Sequence, residues 1–516
     1  MTNAKDIFLR EGGRELSAGN LAIFAGAGLS VGAGFVNWQE LLRPIANELG
    51  LEVEKESDLV AIAQYHCNAN GNNRSQLNQR LIEEFKKTAE ITENHAILAR
   101  LPIATYWTTN YDQLIEEALG QRGKIADVKY TRNHLTQSLA TRDVVVYKMH
   151  GDADHPDKAV LTRDDYERYH LQMEPYLTAL KADLSAKTFL FLGFSFSDPN
   201  IDHILSRVRV AYESSQRRHY CLLRRVARDP QMSEADFGYQ QRRQQLFVDD
   251  LKRFNIMTIL IDEYSEIPEI LSSLEANYRR KTIFISGACH EYSHPWDGRT
   301  SLAFIHALSQ EIIKQDLRIV SGIGLGVGSA VITGALEQIY QQGSKSISQH
   351  LILRPFPQHL QDASQRQKLW SQYRADMITE AGIAIFLFGN KLSSPTGSAG
   401  EPSQLVASNG MEEEYQIAKA HGLVVIPVGV TGWVARDVWE RERSLLEQAV
   451  NLSESADLSA NEDLARLSPY LKLFRGMAKL EQQRYTELFQ QLGEERDRQR
   501  LQSAILAMIH IVGSRQ

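Results

Sequence analysis

Short, unbroken apolar runs alternate with longer stretches of helical spacing over the first half of the chain. The runs at 21–25, 103–107, 143–148, 188–193, 219–223 and 256–261 place hydrophobic residues at successive positions. That pattern predicts parallel strands buried on both faces, since a strand with one wet side alternates polar and apolar residues. Between them the apolar positions recur at helical spacing, predicting helices that include one from Asn37 and Trp38 to Leu49 and one from Pro199 to Glu213. Residues 51–101 show helical patterning without a clear strand, which predicts a helical insertion beside the sheet. A polar helix end at 265–281, closing on Asn277-Tyr278-Arg279-Arg280-Lys281, marks a boundary. The pattern then restarts, with strands at 282–286, 317–321, 350–353, 383–388 and 423–428 and helices at 300–315, 328–342, 364–381 and 410–421. The expected fold is α/β, with two Rossmann-like parallel-sheet domains at 1–280 and 281–516. A loop at 393–409, rich in Ser, Gly and Pro, is expected to act as a lid, and residues 460–516 to be helical.

Composition narrows the function classes. With 43% hydrophobic and 23% charged residues in 516, the chain can bury sizeable cores. A net charge of −7 offers no global basic footprint, so no nucleic acid is expected as a partner. No segment reaches the roughly 20 consecutive apolar residues of a membrane span, and Lys5, Asp6, Arg10 and Glu11 do not suit a signal peptide. A bacterial cytoplasmic location is expected. Cys67, Cys221 and Cys289 are isolated and odd in number, so neither a disulfide framework nor a paired-cysteine zinc site is expected, and the metal expectation is none.

Chemistry concentrates at four places in the first half. The run from Leu21 ends in Gly26-Ala27-Gly28-Leu29-Ser30, a tight turn after a strand whose backbone can approach a phosphate. Val31 stands where the dinucleotide fingerprint wants its third glycine, so that pattern fails. Thr108-Thr109-Asn110-Tyr111-Asp112, Lys148-Met149-His150-Gly151-Asp152 and Phe191-Leu192-Gly193-Phe194-Ser195 follow, each just past an apolar run. Carboxyl ends of parallel strands are where open sheets bind ligands. An asparagine amide both donates and accepts, and histidine is the side chain whose ordinary titration lies nearest neutral pH. Taken singly, Asn110 reads as a helix cap and His150 as a satisfied loop residue; taken together they read as a site. Beyond Ser195, the sequence Ser197-Asp198-Pro199-Asn200 is a strand-to-helix junction that serves either capping or ribose contact.

These four islands, in this order, resemble the sirtuin family of NAD-consuming enzymes. The resemblance implies that Asn110 holds the acceptor and ribose and that His150 is the base. It also implies that Gly26, Ala27, Gly28, Ser30, Asp112, Gly193 and Ser195 bind NAD, with Asp112 either anchoring its loop or touching the ribose. NAD+ is then a substrate, and no true cofactor is expected. Thr109 stands where sirtuins commonly carry glutamine, and the zinc-binding cysteines are missing, which opposes protein deacylation.

In the second half, Ser286-Gly287 closes a strand, and Gly322, Gly324, Gly326 and Gly328 alternate ahead of a helix, offering unhindered backbone N–H groups to a phosphate. Arg374, Lys391 and the pair Glu413 and Glu414 add charge, although acidic residues in a first helical turn also complement the macrodipole. This half resembles SLOG-type nucleotide-sensing domains found fused to sirtuin-like or TIR domains. In such domains an arginine, a lysine and a glutamate bind a cyclic ADP-ribose isomer; here Arg374 and Lys391 match, together with Glu413 or Glu414. The whole chain resembles the NAD-cleaving effectors of Thoeris anti-phage systems. That implies an NAD+ hydrolase activated by a small-molecule signal from a TIR-domain partner enzyme, assembled as a homotetramer. An apolar stripe of Leu501, Ile505, Met508 and Ile509 at helical spacing adds to the expected self-association. A protein deacylase and a non-catalytic nucleotide-binding module are the alternatives.

Overall fold

The computed structural model describes residues 3–196, 199–212, 215–343, 346–357, 362–393, 404–452 and 477–514, with Leu467, Tyr470, Leu471, Leu473 and Phe474 between the last two stretches. Ser197 and Asp198, and 394–403 of the expected lid, lie outside the described residues. The chain divides into two compact units, Met1–Glu275 and Ala276–Gln516.

The first unit is built on seven parallel strands: β1 (Leu21–Ala25), β2 (Thr105–Thr108), β3 (Ala126–Lys129), β4 (Val144–Lys148), β5 (Thr188–Leu192), β6 (His219–Arg224) and β7 (Ile256–Ile261). Their spatial order is β3-β4-β2-β1-β5-β6-β7. From central β1 the chain builds first to one side, with β2, and later to the other, with β5. A crevice therefore opens at the carboxyl ends of these strands, at the topological switch point. One face is sealed by Phe24, Trp107, Phe189 and Phe191 against Tyr169, Tyr176, Leu180 and Ile204 from the helices that follow β4 and β5. The helical insertion forms as helices Leu59–Ala69, Ser75–Phe85 and Glu93–Arg100. The first two join helix Trp38–Glu48 in a satellite core of Leu42, Ile62, Leu77 and Leu81, which also takes Tyr111 and Leu161.

The second unit holds five parallel strands, β8 (Thr282–Ala288), β9 (Arg318–Ser321), β10 (Leu351–Leu353), β11 (Ile383–Phe388) and β14 (Val424–Pro427), ordered β10-β9-β8-β11-β14. Alternate residues serve opposite faces, as the two-residue period of a strand dictates. Ile283, Ile285, Ile383 and Ile385 enter one core, and Phe284, Ala384 and Phe386 the other. The flanks of the expected lid pair instead as an antiparallel hairpin, β12 (Asn390–Leu392) with β13 (Leu405–Ala407). Leu501, Ile505, Met508 and Ile509 lie on helix Arg498–Gly513 and are buried in this unit's own core. That corrects the reading of the stripe as a surface for self-association.

Two elements escape the apolar pattern because they bury charge. Strand β3 carries Asp127 and Lys129, an ion pair at 2.7 Å with both side chains buried. Helix Trp433–Leu452 contains a charge run whose Glu442 is buried under the hydroxyls of Tyr415 and Tyr470 and the ammonium of Lys419.

Candidate functional site

The turn after β1 and the turn after β5 press together backbone to backbone. Gly28 N–H donates to Gly193 O at 3.0 Å, and Gly26 N–H to Leu192 O at 2.9 Å. A Cβ on Gly26 would sit 2.5 Å from Gly193 O, and one on Gly28 2.9 Å from Gly193 Cα. Gly193 itself takes a φ of +61°, open to glycine and strained for other residues. These glycines are thus required by the contact between two turns. The expectation that the first turn is a bare phosphate cradle is corrected in part: the N–H groups of Gly26, Gly28, Leu29 and Ser30 all make intramolecular hydrogen bonds, the last two within the short helix Ala27–Leu29.

Asn110, just past β2, is fastened on this platform. Its Nδ2 donates to Gly26 O and to Ser30 Oγ, each at 3.0 Å, and its backbone N–H to Thr108 Oγ1 at 2.9 Å. Its Oδ1 is buried and accepts no hydrogen bond among the described residues. Asp112 Oδ1 accepts from Leu114 N–H at 3.1 Å, at the start of helix Leu114–Gln121. Its Oδ2 is likewise buried and unpartnered among the described residues. Ala27, Ser30, Thr109, Asn110, Tyr111 and Asp112, with Trp38 and Phe85 of the helical layer, line a narrow cavity of about 30 Å³. Ser195 lies exposed at the opposite turn. Burial holds His95 neutral, with its titration lowered to about 4 although the Asp112 carboxylate pulls the other way.

His150 follows β4, the strand paired with β2, so it and Asn110 stand at adjacent strand ends. Between them lies a residue to which the sequence analysis gives no role. Lys148 is 0% exposed, and its ammonium donates to Asp112 O at 2.5 Å and Asp152 Oδ2 at 2.6 Å, with Glu116 Oε1 at 3.2 Å. It ties the loop carrying Asn110 to the loop carrying His150. Burial works against its charge, but Glu116 and Asp152 outweigh it and raise its titration. Burial also raises the Glu116 carboxyl, against the pull of Lys148. A lysine closing an apolar run was the available signal.

In the second unit Ser286, Arg374, Glu413 and Glu414 converge. Ser286 Oγ donates to Glu414 Oε2 at 2.6 Å, and Arg374 reaches Glu413 Oε2 at 2.8 Å and Glu414 Oε1 at 3.5 Å. The guanidinium lies over Phe356 at 4.9 Å and Trp370 at 5.9 Å, two aromatics that the charge pattern did not flag. Burial raises the Glu414 carboxyl, while Ser286 and Arg374 draw it down. Lys391, on β12, donates to Asn409 Oδ1 at the start of helix Asn409–Ala420, beside Gly410, where an added Cβ would lie 2.9 Å from the Arg374 guanidinium. The alternating glycines again have packing reasons. A Cβ on Gly324 would overlap Gly287 O, one on Gly326 would overlap Cys289 O, and one on Gly322 would sit 2.7 Å from the Phe356 ring. The N–H of Gly328, at the helix start, is turned onto Gly324 O at 2.7 Å. That occupies one of the N–H groups expected to face a phosphate.

Among the described residues no group of three or more His, Cys, Asp or Glu is placed to hold a metal ion, and no helix is long and apolar enough to cross a membrane.

Residues 104–245 match a family model for the SIR2-like domain, and residues 266–467 one for the Sir2- and TIR-associating SLOG family. The chain is similar to a protein of Bacillus cereus named NAD(+) hydrolase ThsA, 52% identical over 84% of this chain and 89% of the relative. A protein of the same name from Acinetobacter baumannii is 46% identical over 83% and 88%. A Bacillus subtilis protein named defense-associated sirtuin 2 is 28% identical over 38% of this chain and 20% of its own length.

Proposed function

The chain belongs to the ThsA family of NAD(+) hydrolases, and from that premise we propose how its two units divide the work. The first unit cleaves the bond between nicotinamide and ribose, with NAD+ as substrate. Nicotinamide leaves neutral, so what the protein must supply is stabilisation of a sugar cation, a held water and a base for its proton. The observation that carries this reading is Asn110: its Nδ2 is fixed by Gly26 and Ser30 while its buried Oδ1 lacks a partner. A buried acceptor of that kind calls for a donor from outside, and a ribose hydroxyl or the attacking water provides one. His150 then takes the proton. Gly26, Ala27, Gly28, Ser30 and Asp112 on one side, with Gly193 and Ser195 on the other, border the dinucleotide.

The second unit binds a cyclic ADP-ribose isomer made by a TIR-domain partner enzyme, and that binding raises NAD cleavage in defence against phage. The Ser286–Glu414–Arg374–Glu413 network supports this, since it groups acceptors for ribose hydroxyls with a cation for pyrophosphate. Gly287, Gly322, Gly324, Gly326 and Lys391 complete the ligand shell. The protein works as a homotetramer; exposed Val210, Tyr212, Tyr239 and Leu246 on helices Pro199–Tyr212 and Glu234–Leu251 support self-association.

The test is incubation of the full-length protein with NAD+, alone and with a panel of cyclic ADP-ribose isomers, reading nicotinamide and ADP-ribose. Equal amounts of both, formed faster with one isomer, are expected. If neither product forms under any condition, the first unit is a nucleotide-binding module.

A further inference from the structure

His150 is only 2% exposed, although a base must be reached by the proton it accepts. The segment that follows it does the shielding. After Gly151 the chain folds back so that Val160 N–H donates to His150 O at 2.9 Å. Helix Arg163–Gln172 then sets two tyrosines edge-to-face against the imidazole. Tyr166 has its ring centre 5.6 Å away at 73°, and Tyr169 6.5 Å away at 83°. The two are not equivalent. Tyr169 is buried, belongs to the core, and donates its hydroxyl to Met149 O at 3.0 Å. Tyr166, one turn earlier, is half-buried, so it is the member of the pair that meets solvent. The helix beneath it is held firmly. Thr162 and Asp165 form a capping box, Asp165 also accepts from Leu161 N–H at 3.0 Å, and Arg74 reaches Asp165 at 3.2 Å and Ala159 O at 2.8 Å.

We propose that Tyr166 sets acceptor specificity in the NAD site, admitting water to His150 and turning away acceptors that carry an alkyl group on the reacting oxygen. The inference rests on the reading of His150 as base. In the reaction the glycosidic C1′–N bond breaks with its electron pair going to nicotinamide. The acceptor oxygen bonds to C1′, and its proton passes to His150 and then to solvent. With water the products are ADP-ribose, nicotinamide and one proton; with methanol, methyl ADP-riboside replaces ADP-ribose. Methanol brings its methyl group on the atom that must approach the imidazole, where the Tyr166 ring stands.

The test runs the full-length protein in NAD+ and buffered methanol, with and without the cyclic ADP-ribose isomers, and reads the ratio of methyl ADP-riboside to ADP-ribose. Both products follow the same nicotinamide release, so the ratio does not depend on how much protein is active. Wild type and Tyr166→Phe are expected to share a low ratio, and Tyr166→Ala to raise it about 10-fold or more, the scale on which a pocket discriminates one carbon. Where Tyr166→Ala lowers the thermal midpoint too far to assay, Tyr166→Leu keeps an apolar footing and should raise the ratio in the same direction. An unchanged ratio in an active Tyr166→Ala or Tyr166→Leu protein overturns the proposal, as does Tyr166→Phe matching the alanine variant. Wild-type nicotinamide release in His150→Ala would instead overturn the catalytic reading beneath it.

Discussion

Asn110 and His150 are held at adjacent strand ends by different means. Asn110 is pinned by a carbonyl and a hydroxyl from the β1 turn, and His150 is packed among tyrosines. Each is expected to be needed on its own. Asn110→Ala removes the fixed amide and His150→Ala the proton acceptor, and each should lower nicotinamide release at least about 100-fold, the usual scale for such groups. Circular dichroism should show both variants folded, and either one retaining near-wild-type turnover would remove it from the mechanism. Two other histidines tell on stability. His219 Nδ1 accepts from Phe189 N–H at 3.1 Å, which requires a neutral ring, and burial together with the Arg217 charge lowers its titration to about 3. Burial lowers His95 to about 4. Unfolded, both rings titrate at their ordinary value near 6.5, so below that pH the unfolded chain binds protons that the fold refuses. Stability contributed by these rings is full above pH 6.5 and falls progressively as the pH drops towards 4. Urea midpoints should therefore fall between about pH 7 and about pH 5, and His219→Asn, which keeps an acceptor for Phe189, should flatten that slope. A midpoint constant across this range would show that neither ring carries the dependence.

At the scale of elements, what the sequence made legible was what is apolar. The central strands of both sheets are continuous hydrophobic runs, and β1, β7 and β11 end where the pattern predicts. Strand β3 and helix Trp433–Leu452 were not legible, because Asp127, Lys129 and Glu442 read as solvated charge until their buried partners are known. The four islands of the first site were visible as strand ends. Lys148 was visible only as a lysine, since two of its three partners, Asp112 and Glu116, come from another segment and only Asp152 is near in sequence. The glycines were visible as turns, but their reason was not: Gly193 is required by the neighbouring turn, which lies far off in sequence. Gly193→Ala combines a positive φ with an overlap on Leu29 N, so destabilisation of roughly 2–5 kcal/mol is expected from the sum of backbone and overpacking costs. The same change should disturb the Gly26 carbonyl that holds Asn110 and lower turnover with stability. A Gly193→Ala protein with a wild-type thermal midpoint would contradict the packing of the two turns.

At the scale of the molecule, a hydrolase that consumes a central metabolite needs an off state, and the signal site proposed for the second unit would supply the means of leaving it. Coupling requires an element with two arrangements whose equilibrium both ligands bias, and by linkage each ligand then changes the affinity of the other by the same factor. A coupling of about 1–3 kcal/mol changes NAD affinity about 5- to 150-fold. A larger activation would mean that the signal also orders the catalytic groups. Self-association is read directly by light scattering, where a tetramer mass is expected and a monomer mass at micromolar concentration would end that part of the proposal. The sensor is best tested in full-length His150→Ala protein, in which heat on titration reports binding without turnover. Hydrogen bonds to charged groups contribute about 1.5–3 kcal/mol each. Loss of the Arg374 guanidinium, which spans Glu413 and Glu414 and lies over two aromatic rings, should therefore weaken binding of the active isomer about 10- to 150-fold. Heat in the parent and little in the Arg374→Ala double variant supports a nucleotide sensor centred on that cation. No heat with any isomer, joined to full NAD cleavage in their absence, would leave a constitutive hydrolase whose second unit does something else.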